Sequence, residues 1–173
     1  MPALIHSFTD RPLPTEILLE TSFVVSLTNP ADPFHAACVQ FVADLEAAGA
    51  TVVYSILLRP ELGDAVLKVE LRAKFGRRWS QELGRHPALA GAFHAEQRTA
   101  DEAFLNHLPR FTGYLDVPLL PDILTLALAL IQQHSLRSYD AVHLATAQYL
   151  SIPHLATFDH HFDPIDGFTL WRL

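Results

Sequence analysis

The stretch Arg137-Ser138-Tyr139-Asp140-Ala141-Val142-His143-Leu144-Ala145-Thr146-Ala147, followed past Tyr149 by Leu155-Ala156-Thr157-Phe158-Asp159-His160-His161-Phe162, decides the fold. Ser138 has the chemistry of a helix N-cap. Asp140 falls in the first turn, where free amides and the helix dipole favour an ionised carboxylate. Leu155 to Phe158 reads as a short buried strand, with Asp159 just beyond its carboxyl end. In parallel α/β sheets that edge is where ligands bind. A helix start and a strand end thus each present a carboxylate from apolar surroundings, as a hard-cation site requires.

Working outward, short apolar runs alternate with helical spacing. Glu16-Ile17-Leu18-Leu19 reads as a strand ending at Glu20, with a short helix from Ser22 to about Leu27 that Asn29-Pro30 stops. Asp32-Pro33 opens a helix carrying Phe34, Cys38, Phe41, Val42 and Leu45. Thr51-Val52-Val53-Tyr54 is a second strand, and Ser55 precedes a helix that holds Pro60, Glu61, Val66 and Val69 and runs to about Lys74. Residues 79–108 are ambiguous because Pro87 interrupts the helical spacing of Phe93, Ala100, Phe104 and Leu105. Tyr114-Leu115-Asp116-Val117 is a third strand, Pro121 opens a helix through about His134, and Phe168-Thr169-Leu170-Trp171 is a terminal strand. Residues 1–14, with Pro2, Pro12 and Pro14, read as an irregular lead-in. Strands alternating with helices predict a parallel sheet covered on both faces.

At 173 residues and 50% hydrophobic content the chain fits one domain spanning 1–173. Its start lacks the basic flank and long apolar run of a signal peptide, and the longest apolar run, Ile123 to Ile131, is too short to cross a bilayer. No membrane association is expected, and the location expected is cytoplasmic. The single cysteine, Cys38, excludes a disulfide framework and reads as a small core residue.

The net charge of -7 argues mildly against nucleic acid, but the charge is unevenly spread. Arg59, Lys68, Arg72, Lys74, Arg77, Arg78 and Arg85 are seven of the twelve basic residues and face only Glu61, Asp64, Glu70 and Glu82, a local balance of +3 against -10 elsewhere. Such a segment on an acidic body can hold a phosphate backbone, or it can be a solvated helix face.

Several chemistries are excluded. There is no Gly-rich phosphate loop, no Gly-x-Ser-x-Gly elbow and no His-Glu-x-x-His spacing. His143 and the His160-His161 pair are the nearest zinc candidates, but a helical histidine beside Leu144 reads as packed. Carboxylates are the better lead: three or four converging without a basic partner repel one another unless a cation shares the site. Oxygen ligands suit Mg2+ or Mn2+, ions that assist phosphodiester hydrolysis.

These residues resemble a family. Ile17-Leu18-Leu19-Glu20-Thr21-Ser22 looks like the opening strand and acid motif of PIN-domain ribonucleases, and Tyr54-Ser55 with Glu61 resembles their second motif. Ser138 to Ala147 is similar to the third, and Thr157-Phe158-Asp159-His160-His161-Phe162 to the last. The order covers residues 16–172, and the branch it most resembles is the VapC toxins of prokaryotic toxin–antitoxin modules. The resemblance implies a three-layer fold with about five parallel strands flanked by helices, and hydrolysis of RNA with Mg2+ or Mn2+. It implies Glu20, Glu61, Asp140 and Asp159 as catalytic acids, with Glu20, Asp140 and Asp159 as metal ligands and Ser22 and Thr157 orienting them. Lys68, Arg72, Lys74, Arg77 and Arg78 are the expected RNA contacts. A cognate antitoxin and a homodimer are the expected partners. One departure stands out: the family usually has aspartate where this chain has Glu20. The extra methylene shifts a carboxylate by more than the roughly 0.5 Å a tight site tolerates. The alternative reading is a catalytically weakened PIN-like protein that binds RNA or a protein partner.

Overall fold

The computed structural model describes residues 2–173. Strand β2 (Glu16–Leu19) shows how the layers arise. Ile17 and Leu19 point into one core and Leu18 into another, as the period of two in a strand demands. The same alternation runs through β3 (Thr51–Ser55), with Val52 and Tyr54 on one face and Val53 on the other. In β5 (His154–Ala156) and β6 (Thr169–Arg172), Leu155 and Leu170 face the second core while Ala156 and Trp171 face the first.

The first core is roofed by α1 (Thr21–Thr28), α2 (His35–Ala47), α3 (Leu58–Phe75) and α5 (His94–His107), which insert Phe23, Phe41, Leu62 and Phe104 among others. The second is covered by α6 (Pro121–His134) and α7 (Ser138–Tyr149) through Ile123, Ala127, Ala141 and Leu144. Each fully buried aliphatic or aromatic side chain contributes about 1.5–3 kcal/mol, so truncating Leu18 to alanine at the sheet centre costs about 2–5 kcal/mol. Cys38 lies in the first core, where burial pushes its thiol up to about 12, an inert packing residue.

Among the described residues the sheet has six parallel strands in the order β1-β6-β5-β2-β3-β4, with β4 at Gly113–Val117. The sixth is β1 (Leu4–Ser7), within the stretch expected to be an irregular lead-in. It is an edge strand of four partly or largely exposed residues, paired among the described residues with β6 alone, far along the chain. A strand so short and so dependent on distant pairing leaves little local pattern. The ambiguous segment resolves into a short helix, α4 (Trp79–Arg85), a 3-10 turn opened by Pro87, and α5, which buries Ala100 and Phe104.

From β2 the chain moves outward to β3 and β4, then returns to place β5 on the opposite side of β2. The strand order therefore reverses between β2 and β5, and the crevice beyond their carboxyl ends is the place such sheets bind ligands. Glu20 follows β2 directly, and Asp159 follows β5 by three residues. Among the described residues no helix is long and apolar enough to cross a membrane.

Candidate active site

Glu20 is buried at the head of α1 and is that helix's N-cap. Its Oε2 accepts the Ser22 N–H at 3.0 Å and the Thr157 hydroxyl at 2.8 Å, and the Ser22 hydroxyl donates to the same oxygen in a very short bond. Burial raises its carboxyl above the ordinary range, against the pull of His143 and these hydrogen bonds. Ser22 Oγ accepts the Phe158 N–H at 2.8 Å, and Thr157 Oγ1 accepts the Asp159 N–H at 3.0 Å. The two hydroxyls therefore lock the end of β2 to the end of β5.

Glu61 enters from the first turn of α3. Its Oε2 accepts the Thr21 hydroxyl at 2.6 Å and lies 2.9 Å from Nε2 of His143, which is also 3.2 Å from Thr21 Oγ1. Asp140 and His143 are three residues apart on α7 and share a face. That helix begins at Ser138 itself: the residue in the N-cap position is Arg137, with no side-chain cap, so Ser138 does not cap it as expected.

Asp140 is nearly fully buried, and its Oδ2 has no hydrogen-bond partner among the described residues. Burial raises its carboxyl first, and the neighbouring charges of Asp159 and Glu61 raise it further, against His161 and His143. Asp159 is held by the His161 N–H on Oδ1 at 2.8 Å, and His161 Nδ1 stands 2.9 Å from the same oxygen and 4.0 Å from Asp140 Oδ2. Two triads result, Glu20–Glu61–His143 and Asp140–Asp159–His161, each with one ligand atom per residue within 4.8 Å. Asp140 feels the charge of Glu61, and both Glu20 and Asp140 feel that of His143, so the triads adjoin.

The PIN domain family model matches residues 17–167. This chain belongs to the PIN-domain family. Among solved structures, its PIN domain is similar to VapC20 of Mycobacterium tuberculosis, a sarcin-ricin-loop-cleaving toxin. The TM-score is 0.54 at 20% identity, over 84% of this chain and 92% of the other. A toxin–antitoxin complex from Klebsiella pneumoniae gives a TM-score of 0.54 at 22% identity, covering 88% of this chain and 94% of that one. At such identities the likeness is one of fold. No curated protein matches the sequence.

Within this PIN domain, the four acids from four separate elements meet as two adjoining triads. They do not meet without basic partners, because His143 and His161 stand among them. His143 is fully buried and hydrogen-bonded, the packed histidine that its place beside Leu144 suggested. Sequence reasoning gave Thr21 no role and offered His161 only as a zinc candidate; the Thr-Ser pair after Glu20 was the available signal for Thr21.

The basic residues lie elsewhere. Lys68 pairs with Asp64 at 2.5 Å, Arg72 stacks over Trp79 at 5.3 Å, and Lys74 lies near the rings of Phe75 and Phe93. Arg77 and Arg78 sit on the turn that follows α3. At about 1.5 Å rise per residue, Lys68 is roughly 10 Å and Lys74 roughly 20 Å along α3 from Glu61.

The donor set fits a divalent cation. An ionised, buried Asp140 Oδ2 without a partner is costly unless a cation offsets it. Asp140 and Asp159 are the oxygens that would hold one, while Glu20 stands in the other triad with its Oε2 held by Ser22 and Thr157.

Proposed function

We propose that this PIN domain is an endoribonuclease dependent on Mg2+ or Mn2+, acting in the cytoplasm as the toxin of a type II toxin–antitoxin pair. The observation that carries the reading is the buried, unpartnered Asp140 Oδ2 facing the charges of Asp159 and Glu61 at the sheet's switch point. Asp140 and Asp159 would hold the divalent ion, which would supply positive charge to the scissile phosphodiester and make a water more acidic. The chain's own part is positional. Thr157 orients Glu20 and the backbone of Asp159 together, and Thr21 with His143 fixes Glu61. Lys68, Arg72, Lys74, Arg77 and Arg78, along α3 and the turn after it, would form the track that holds the RNA backbone.

Purified protein should cleave RNA with Mg2+ or Mn2+ and lose that activity in EDTA. Asp140→Asn should abolish it, because the amide keeps the shape and loses the anionic oxygen. Full cleavage in chelator would remove the metal reading.

A second reading, a PIN domain of weakened activity that binds RNA or a partner, is favoured by Glu20. Its Oε2 is engaged by three donors within the chain, and it is one methylene longer than the family's usual aspartate. Glu20→Asp separates the two: a rise in cleavage supports the weakened form, and a fall supports the working one.

The antitoxin partner is supported by a groove of about 500 Å³ between α1, α3 and α5, lined by Val25, Val66, Val69 and Ala100. Silencing of toxicity by co-expression of the adjacent reading frame tests the partner. Light scattering tests the homodimer, against a chain mass of 19.3 kDa.

A further inference from the structure

The acidic site contains a ring nitrogen at its mouth that the all-oxygen metal reading leaves idle. The His161 side chain is 56% exposed, while that of Asp140 beneath it is 8% exposed. Nδ1 of His161 lies 2.9 Å from Asp159 Oδ1 and 4.0 Å from Asp140 Oδ2. Atoms about 2.1 Å from a shared ion are about 3.0 Å apart when neighbouring and about 4.2 Å apart when opposite. The distances at His161 span that range. The ring is placed by its backbone, because the turn His160–Phe162 is pinned by buried Phe162 and by the His161 N–H on Asp159. The adjacent His160 ring turns away instead, toward Asp163 at 3.0 Å and Arg172 at 3.1 Å.

We propose that His161 Nδ1 is a metal ligand, making Asp140, Asp159 and His161 a mixed carboxylate–imidazole site that selects Mn2+ and later first-row ions over Mg2+. The inference rests on the metal-nuclease reading and sharpens it. Mg2+ is hard, keeps its waters and prefers carboxylate oxygen, whereas imidazole suits transition ions. His143 does not compete for this role, since it is fully buried with Nε2 held by Glu61 and Thr21. The competing account makes His161 a counter-ion for Asp159, in which case removing it tightens every divalent ion alike.

Calorimetric titration of the full chain with Mg2+ and with Mn2+, at a pH about one unit above the ordinary histidine value of roughly 6.5, separates these accounts. Pulsed EPR of bound Mn2+ reports nitrogen coordination directly, without any turnover. The expected wild-type result is Mn2+ binding at least about tenfold tighter than Mg2+, with a nitrogen coupling. His161→Ala should abolish the coupling and weaken Mn2+ by about tenfold or more, the least that losing even an outer-sphere partner tends to cost. Mg2+ affinity should stay within about twofold, and His160→Ala should change nothing. A coupling that survives in His161→Ala, or Mn2+ and Mg2+ affinities that move together in either direction, overturns the assignment. Asp140→Asn keeps the two ideas apart. Wild type binding both ions without preference, with binding lost in that variant, overturns the His161 assignment alone. Wild type binding neither ion overturns the nuclease reading with it.

Discussion

Thr157 Oγ1 donates a 2.8 Å hydrogen bond to Glu20 Oε2 across 137 residues of chain. The bond joins the carboxyl ends of the two strands between which the sheet reverses its order. Because Thr157 also receives the Asp159 N–H, one hydroxyl sets the spacing of two acids.

Thr157→Val keeps the shape and removes both bonds. Leaving buried Glu20 short of a donor and the Asp159 N–H without its acceptor should cost about 1–3 kcal/mol. At about 2–4 °C per kcal/mol for a chain of this size, the melting point should fall by about 2–12 °C. An unchanged urea midpoint would sink the account.

Arg172 is buried at the end of β6 and pairs with Asp163 at 2.8 Å, anchoring the turn that carries Asp159 and His161. Burial pulls the Asp163 carboxyl up, but Arg172 and His160 together hold it below the usual value of 3.8. A depressed carboxyl stabilises above its unfolded pKa, and that stability is lost as pH falls through the folded one. Arg172→Met, which keeps the apolar stem, should therefore cost about 1–2 kcal/mol at pH 7, a figure reduced for the partial exposure of Asp163. Wild type and variant should converge as pH falls through the depressed Asp163 value. Urea curves at several pH values check both the offset and the convergence.

The sign reverses at Asp140. Burial, then Asp159 and Glu61, raise its carboxyl above 3.8, so the ion-free fold binds a proton more readily than the unfolded chain does. Ion-free stability should fall as pH climbs from that value through the raised one, then level off. Divalent ions compete with the same proton, so their stabilisation grows over that window. At 100 times the dissociation constant an ion adds about 2.7 kcal/mol, or about 5–10 °C, near pH 7.5 and little near pH 4. In Asp140→Asn the ion-dependent shift should vanish. Differential scanning calorimetry with and without Mn2+ measures each point.

Charge reversal of Arg77 and Arg78 tests the basic track apart from the acids. In an Asp140→Asn background, which binds without cutting, losing two phosphate contacts should lower the salt slope of single-stranded RNA binding by about 1.4. Fluorescence anisotropy over a salt series reads this. An unchanged slope would mean that the RNA lies elsewhere.

Much of this was legible in the chain because the deciding signals are local. Ile17-Leu18-Leu19 alternates between two cores, and apolar α7 opens with an acid in its first turn, so strand, helix and carboxylates could be placed from neighbours alone. What escaped is non-local. Leu4–Ser7 is a strand only because Thr169–Arg172 lies beside it. Glu20 reads as a family departure, yet its cap bond to Ser22 and its bond from Thr157 show the longer side chain fully seated. The sequence offers His160 and His161 alike as zinc candidates, and only the turn after Asp159 aims the His161 ring at Asp140 and leaves that of His160 on Asp163.

Strand β5 pairs with β2 in the middle of the sheet, although in the chain it follows β3, β4 and most of the helices. On a ribosome adding about 5–20 residues per second, β2 spends several seconds with one edge unpaired before its partner emerges. An exposed strand edge invites pairing with other chains, so a nascent or prematurely ended product is an aggregation hazard. It also lacks the complete acidic site, since Asp159 and the turn that aims His161 arrive only after β5. Translation itself thus delays the moment at which the acidic pocket first exists.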